Sequence, residues 1–70
     1  MLIKKVVAES KLSGAQVARD AGISVATFES WTGGRRNPTE ASLKRIAAGL
    51  RKRAARITKL AEQLEREAER

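Results

Sequence analysis

The chain of 70 residues carries a formal net charge of +7 and has room for one small domain, whose core is marginal unless oligomerisation or another device stabilises it. It contains no cysteine and no histidine, which excludes a disulfide scaffold and thiolate metal sites and removes the commonest metal ligand. Residues 1–59 hold 13 Lys or Arg against 4 Asp or Glu, so nucleic acid is the expected partner of this basic part.

The first helix is predicted over residues 2–10, where Ile3, Val6 and Val7 share one helical face and lysines lie on the other. The apolar run of this segment is too short for a signal peptide. No stretch of 18 apolar residues occurs elsewhere, and no strand pattern is present. We therefore expect a cytosolic, all-helical protein that is neither secreted nor membrane-spanning.

Two short helices joined by a turn are predicted for residues 13–32. Ser13 and Gln16 have the spacing of a capping box, Ser24 is a natural N-cap for the next helix, and Gly22 can adopt the positive φ of a sharp turn. The two aromatic side chains of this segment are assigned to the core rather than to base stacking. The positions that face inward when such helices cross at roughly 90 to 120° are Val17, Ala18, Ala21, Ile23, Phe28 and Trp31.

This pattern resembles the phage-repressor-like (Cro-like, xenobiotic-response-element) helix-turn-helix family over about residues 3–50. The matching residues are Val17-Ala18, Gly22-Ile23-Ser24, Thr27-Phe28, Trp31, Gly34, Arg36, Pro38, Leu43, Ile46-Ala47 and Leu50. The resemblance implies a lambda-repressor-like bundle of four short helices running into a long C-terminal helix. It also implies a cytoplasmic, nucleoid-associated protein of a bacterial or phage-infected cell, without a cofactor.

Three positions depart from the family pattern. Gly14 stands where the family often has a glutamine that clamps a phosphate, Thr32 replaces a glutamate that is common after the tryptophan, and Val7 replaces an arginine of the first helix. The backbone N–H of Gly14 can still meet a phosphate at a helix N-terminus. These departures bear on affinity more than on fold.

The resemblance makes residues 25–32 a recognition helix that enters the major groove of DNA. The expected base contacts are Val25, Ala26, Glu29 and Ser30. None of them is Arg, Lys, Asn or Gln, so the usual bidentate readers of guanine and adenine are missing. We expect the two apolar side chains to touch thymine methyls and the glutamate to accept a hydrogen bond from a cytosine amine. The serine can serve as an adaptable hydrogen-bond partner for a base. The alternative is that the apolar pair merely fills an outward face.

Contacts to phosphates are expected to supply most of the affinity. Gly33 and Gly34 end the recognition helix, and either Asn37-Pro38 or Thr39 caps the next one. A solvated surface pair remains the alternative reading of the two loop arginines. The expected phosphate contacts are Gly14, Gln16, Thr27, Arg35, Arg36, Asn37 and Lys44, with Lys11 and Arg19 as further candidates.

A heptad repeat begins at Leu43, with Leu or Ile at one position and Ala at another every seven residues. Its first part, with Ile46, should close the core of a domain at residues 1–50, while residues 51–70 should form a dimerisation helix. Gly49 costs a helix about 1 kcal/mol relative to alanine, but no capping residue follows before Thr58, so a continuous helix is expected. The expected dimer contacts are Leu50, Ala54, Ile57, Leu60, Ala61, Leu64 and Ala68.

A basic run at residues 51–59 precedes an acidic run at residues 62–69, which favours an antiparallel pair of these helices over a parallel one. Two alternatives remain open. The tail can be a solvated helix that folds back on its own domain, since its residues are good helix formers. A membrane-surface helix is the other, although the segment has no Trp or Phe to anchor it.

The expected function is a dimeric, sequence-specific DNA-binding regulator that represses transcription by occupying a palindromic operator. The alternatives are a DNA-binding accessory protein of a mobile element, such as an antitoxin or a recombination or architectural factor, and a helical adaptor that binds only protein. No catalytic motif or phosphate-cradling loop is present, so an enzyme is not expected. We expect no small-molecule ligand, because nothing beyond residue 50 is long enough to bind an effector.

Overall fold

The computed structural model of the protein describes residues 2–70; residue 1, at which the predicted first domain begins, lies outside them. Four helices occupy this part of the chain: α1 (Leu2–Ser10), α2 (Gly14–Ala21), α3 (Val25–Thr32) and α4 (Glu40–Ala68). The prediction of an all-α protein is confirmed. Three helices are short and the fourth has 29 residues, so the expected fourth short helix and the C-terminal helix are one element.

The core lies where α2 and α3 meet α1 and the first half of α4. All six positions predicted to face inward between α2 and α3 are buried, and Ile3 and Ile46 join them from the flanking helices. Phe28 and Trp31 pack edge to face with ring centroids 6.0 Å apart, which is a favourable aromatic geometry. The core assignment of the two aromatic residues is therefore confirmed.

The short helices begin where the sequence places their caps. The Ser13 hydroxyl accepts from the backbone N–H of Gln16 at 3.1 Å, and Oε1 of Gln16 accepts from the backbone N–H of Ser13 at 3.0 Å. Ser24 caps α3 through the N–H of Thr27 at 3.1 Å, and between the helices Gly22 adopts a left-handed φ of 70°. These contacts satisfy N–H groups that would otherwise lack a partner at each helix start.

Replacing Ser13 by alanine is expected to lower the free energy of unfolding by about 1 kcal/mol, because the first turn of α2 loses its capping acceptor. Chemical denaturation followed by circular dichroism measures the change. A Ser13→Asp variant keeps an acceptor oxygen at the helix N-terminus and should recover most of the loss. Equal destabilisation by both substitutions would contradict the capping role.

The long helix α4 begins at the Thr39 cap, whose Oγ1 accepts from the N–H of Ser42 at 3.1 Å, and continues past Gly49 to Ala68. The expected continuity is confirmed, and the boundary predicted at residue 50 falls inside a helix. The molecule is elongated, 53 × 20 × 17 Å, because the second half of α4 extends beyond the globular part. Every residue from 54 to 70 is exposed.

Leu43 does not close the core, although the heptad repeat predicted that it would. Ile46 is buried, but the Leu43 side chain is 40% exposed. It lines an open apolar groove with Leu2 and Val6 of α1 and with Leu50 further along α4. The helix is therefore rotated so that α2, rather than α1, receives its most buried face.

Candidate nucleic-acid interface

The loop after α3 is anchored by its own backbone to the last turn of that helix. The N–H of Gly33 donates to the Glu29 carbonyl at 2.8 Å, and the N–H groups of Arg35 and Arg36 both donate to the carbonyl of Ser30, at 2.9 and 3.1 Å. These bonds satisfy carbonyls at the C-terminus of α3. The two arginines consequently start from a fixed backbone rather than from a freely moving loop.

The anchored loop places its arginines beside the outer face of α3. One shallow, open depression is lined by Ala26, Thr27, Ser30, Arg35 and Arg36. Both arginine side chains are exposed, and so is Ala26 at the start of the helix. The structure therefore brings together two cations and the N-terminal half of α3, which the sequence assigned to phosphate and base contacts respectively.

Ser30 is buried, which differs from the outward orientation predicted for it. Its side chain is only 8% exposed, and its hydroxyl donates to the backbone carbonyl of Thr27 within the helix. The prediction that it points outward as a base contact is wrong, because the backbone of α3 already provides its hydrogen-bond partner. Ser30 also contributes to the loop geometry through its backbone carbonyl, which accepts from the N–H groups of both arginines.

The other three predicted base contacts differ in exposure. Ala26 and Glu29 are exposed and three residues apart, so they share one face of α3. Val25 is half-buried and packs partly against the core, so only part of its surface is open. The predicted base contacts that are fully exposed thus offer one methyl group and one carboxylate.

Three further predicted phosphate contacts lie on α2 and at the start of α3. Gly14 opens α2 and lies near α3, since a Cβ built on it would be 3.4 Å from the Phe28 ring. Oε1 of Gln16 is engaged by the capping box, which leaves its amide NH₂ group as the donor to an anion. Thr27 accepts a hydrogen bond from the hydroxyl of Ser24 at 2.8 Å.

The remaining candidates are exposed. Asn37 lies in the loop before α4, Lys11 precedes α2 and Arg19 lies in the last turn of α2. The ammonium of Lys44 lies 3.1 Å from the carboxylate of Glu40 on the same helix, and Lys44 does not line the depression. Among the predicted cations, Arg35 and Arg36 are therefore the ones brought next to α3.

Three polar residues that hold the helices in place carry no signal in the local sequence. Arg45 of α4 donates through Nη2 to the carbonyl of Gly22 in the turn between α2 and α3, at 2.6 Å. Arg53 forms an ion pair with Asp20 of α2 and donates a hydrogen bond to it, which lowers the pKa of that carboxyl below its ordinary value. These contacts orient α4 on the helix pair that presents the interface.

The predicted dimer contacts lie along α4. Leu50 is half-buried and packs against the core of its own chain, so it serves the domain as well as any interface. The other six are exposed in the single chain: Ala54, Ile57, Leu60, Ala61, Leu64 and Ala68. The apolar stripe predicted from the heptad repeat is thus open along the projecting half of the helix.

No group of three or more acidic, cysteine or histidine side chains within residues 2–70 is arranged to hold a metal ion. In the same stretch of chain, no helix is both long enough and apolar enough to span a bilayer.

Comparison with models of protein families, with curated proteins and with solved structures finds no match to this chain in any of the three.

Proposed function

We propose that this protein binds double-stranded DNA with α2, its turn and α3 acting as a helix-turn-helix, α3 in the major groove and the following loop on the phosphate backbone. In this proposal the fold is of the lambda-repressor-like kind. Two copies act together as a transcriptional regulator that represses by occupying a palindromic operator.

The observation that carries this proposal is the depression in which Arg35 and Arg36 lie beside the exposed start of α3. Guanidinium groups bind phosphate in a planar, bidentate manner, and a helix that enters the groove needs cations next to it to neutralise the flanking backbone. The hydrogen bonds from both arginines to the Ser30 carbonyl keep these cations in register with α3.

With Ser30 turned inward, the outer face of α3 offers Ala26 and Glu29 for base readout, with part of Val25. Methyl groups favour thymine, and a carboxylate accepts from the amino group of cytosine. Sequence preference should therefore be modest and concentrated at few base pairs. This small set of readers favours, as a second candidate, an accessory or architectural DNA-binding protein of a mobile element.

Selection of binding sites from a random duplex library at near-physiological salt separates the two functions. Enrichment of a palindrome with half-sites about one helical turn, roughly 10 base pairs, apart is the result expected of a dimeric operator-binding regulator. Binding that enriches no sequence and disappears as salt rises indicates the accessory role. Absence of DNA binding at low salt contradicts both.

Replacing Glu29 by alanine is expected to relax the preference at one base pair by about 1 to 3 kcal/mol, because that pair loses its hydrogen-bond acceptor. Binding to the selected site and to single-base variants of it measures the effect. Glu40→Ala, which removes an equal charge at the start of α4, is the matched control and should leave the preference intact. An unchanged preference at every position after Glu29→Ala would remove this residue from the readout.

A further inference from the structure

The projecting half of α4 exposes large apolar side chains. Ile57 is 56% exposed, Leu60 55% and Leu64 72%. Ala54, one turn before Ile57, and Ala61 lie on the same side of the helix and are also exposed. A helix that leaves a contiguous apolar stripe in water requires a partner for that stripe.

We propose that the partner is the same stripe of a second copy, antiparallel, in one defined register. Leu50 lies against Ala68 of the second copy, Ala54 against Leu64 of the second copy, and Ile57 against Ala61 of the second copy. Because the pair has two-fold symmetry, each contact occurs twice, with the roles of the two copies exchanged. This inference rests on the dimer of the proposed function and specifies how that dimer is built.

Packing supports this register because every layer joins one large side chain to one alanine. Such alternation of large and small residues fills the space between two helices without voids and lets their backbones approach closely. Leu60 falls outside the Leu/Ala repeat, and its exposure has no explanation in the single chain. In this register Leu60 lies next to Leu60 of the second copy at the two-fold axis, which buries both.

The charges that flank the stripe support the same register. Arg51 lies beside Glu65 of the second copy, and Thr58 lies beside its own symmetry mate. On the other flank Arg53 faces Glu67 of the second copy, although its guanidinium already binds Asp20 of its own chain. Arg51 has no ion-pair partner within its own chain in the part that the structure describes, so it is the residue whose charge the pairing uses.

Two other arrangements lose these contacts. A parallel pair in register sets Arg51 beside Ile46 and Glu65 beside Leu60 of the second copy, so neither ion pair forms, and it brings the two basic runs to the same level. An antiparallel pair shifted by one heptad places Leu64 of the second copy over the apolar groove between α1 and α4. That shift moves Glu65 from Arg51 to Lys44 and sets the basic runs of the two copies side by side.

The proposed register also suits the DNA site. Its two-fold axis passes near residue 59, ten residues from Gly49, where α4 crosses α2. At about 1.5 Å per residue the two crossing points lie about 30 Å apart along the pair. One turn of B-form DNA spans about 34 Å, so two domains held at this separation are spaced for adjacent turns of the major groove.

Charge reversal at Arg51 and Glu65 tests the register by sedimentation equilibrium at low salt, without DNA. Arg51→Glu alone sets two glutamates together at each end of the pair, and Glu65→Arg alone sets two arginines together there. Each variant should dimerise at least about tenfold more weakly than the unmodified chain. An equimolar mixture of the two variants restores opposite charges at both ends and should associate as tightly as the unmodified chain.

Lys52→Glu provides the matched control, because it changes charge by the same amount on the face of α4 opposite the stripe. It should leave the dimerisation constant within about twofold. Helicity of every variant is checked by circular dichroism. Restored association in the mixture with an unaffected Lys52→Glu protein supports the register.

Three results would overturn the inference. The first is an unmodified chain that remains monomeric, the second is dimerisation insensitive to Arg51→Glu, and the third is dimerisation weakened by Lys44→Glu instead, which identifies the shifted pair. A monomer that still binds DNA through Arg35 and Arg36 would reject this inference alone and leave the proposed DNA binding intact.

Discussion

Replacing Gly49 by alanine is expected to destabilise the protein by about 2 kcal/mol or more, although alanine is the better helix former. A Cβ built at Gly49 lies 2.8 Å from the carbonyl carbon and oxygen of Asp20 and 3.0 Å from the backbone nitrogen of Ala21. These are backbone atoms of α2, so no side-chain rotation relieves the overlap. The two helices must separate, which disturbs the main helix packing of the core.

The expected loss of stability has the opposite sign to the usual effect of a glycine-to-alanine exchange in a helix. At an exposed position inside a helix, exchange of glycine for alanine stabilises by about 1 kcal/mol. A clash with backbone reverses that sign, and overpacking of a well-packed interior typically costs about 1 to 3 kcal/mol. Separation of α2 and α4 would also strain the contacts from Arg45 to Gly22 and from Arg53 to Asp20.

Urea denaturation followed by circular dichroism, at one protein concentration for all variants, measures the free energy of unfolding. Ala48→Gly, at the exposed neighbouring position, calibrates helix propensity in the same turn and should cost about 1 kcal/mol. Gly49→Ala should cost more than this control despite the opposite exchange. A Gly49→Ala protein more stable than the unmodified chain would show that the helices have room at this crossing.

Gly49 also shows where inference from the sequence stops. The sequence marks it as a weak point in a helix, and the local composition correctly predicts that the helix continues through it. Its value to the fold depends on which face of α4 meets α2, and that rotation is set by contacts between residues far apart in the chain. The same rotation leaves Leu43 exposed and turns Ile46 inward.

Local signals predicted the helix caps and most of the core. Ser13 and Ser24 cap the helices to which their spacing assigned them, since the capping hydrogen bonds join residues three apart. The pair of Asp20 and Arg53 joins residues 33 apart and leaves no periodic trace. Ser30 was misassigned because a serine on a helix can bond the carbonyl three residues back, a choice that spacing does not reveal.

The candidate DNA interface was likewise predicted only in part from the sequence. The sequence predicted that Arg35 and Arg36 follow α3, but the two hydrogen bonds from their N–H groups to one carbonyl became visible only in three dimensions. Lys44 was predicted as a phosphate contact because it is a cation. The structure places it in the second turn of α4, paired with Glu40 and outside the depression.

Exchange of both loop arginines for alanine is expected to weaken DNA binding by about 10- to 100-fold for each bound protomer at near-physiological salt, and the proposed dimer, which loses four contacts, should weaken correspondingly more. Each lost charge-assisted contact to phosphate costs on the order of 1 kcal/mol at an exposed site, and 1.4 kcal/mol is tenfold in affinity. The loss should be nearly equal for specific and random duplexes, because phosphates are the same in every sequence. The backbone anchors at the Ser30 carbonyl are retained by alanine, so the fold should not change.

The salt dependence distinguishes phosphate contacts from a general loss of positive charge. Each phosphate contact adds about 0.9 to the negative slope of log affinity against log salt concentration, so the double variant should lose about two units of slope for each bound protomer, or about four for the proposed dimer. Binding isotherms between about 0.05 and 0.2 M salt measure it. Lys52→Ala with Arg56→Ala removes the same two charges from an exposed part of α4 and should change the slope far less. Equal slopes for the two double variants would mean that the net charge of the chain, rather than the position of Arg35 and Arg36 beside α3, attracts the DNA.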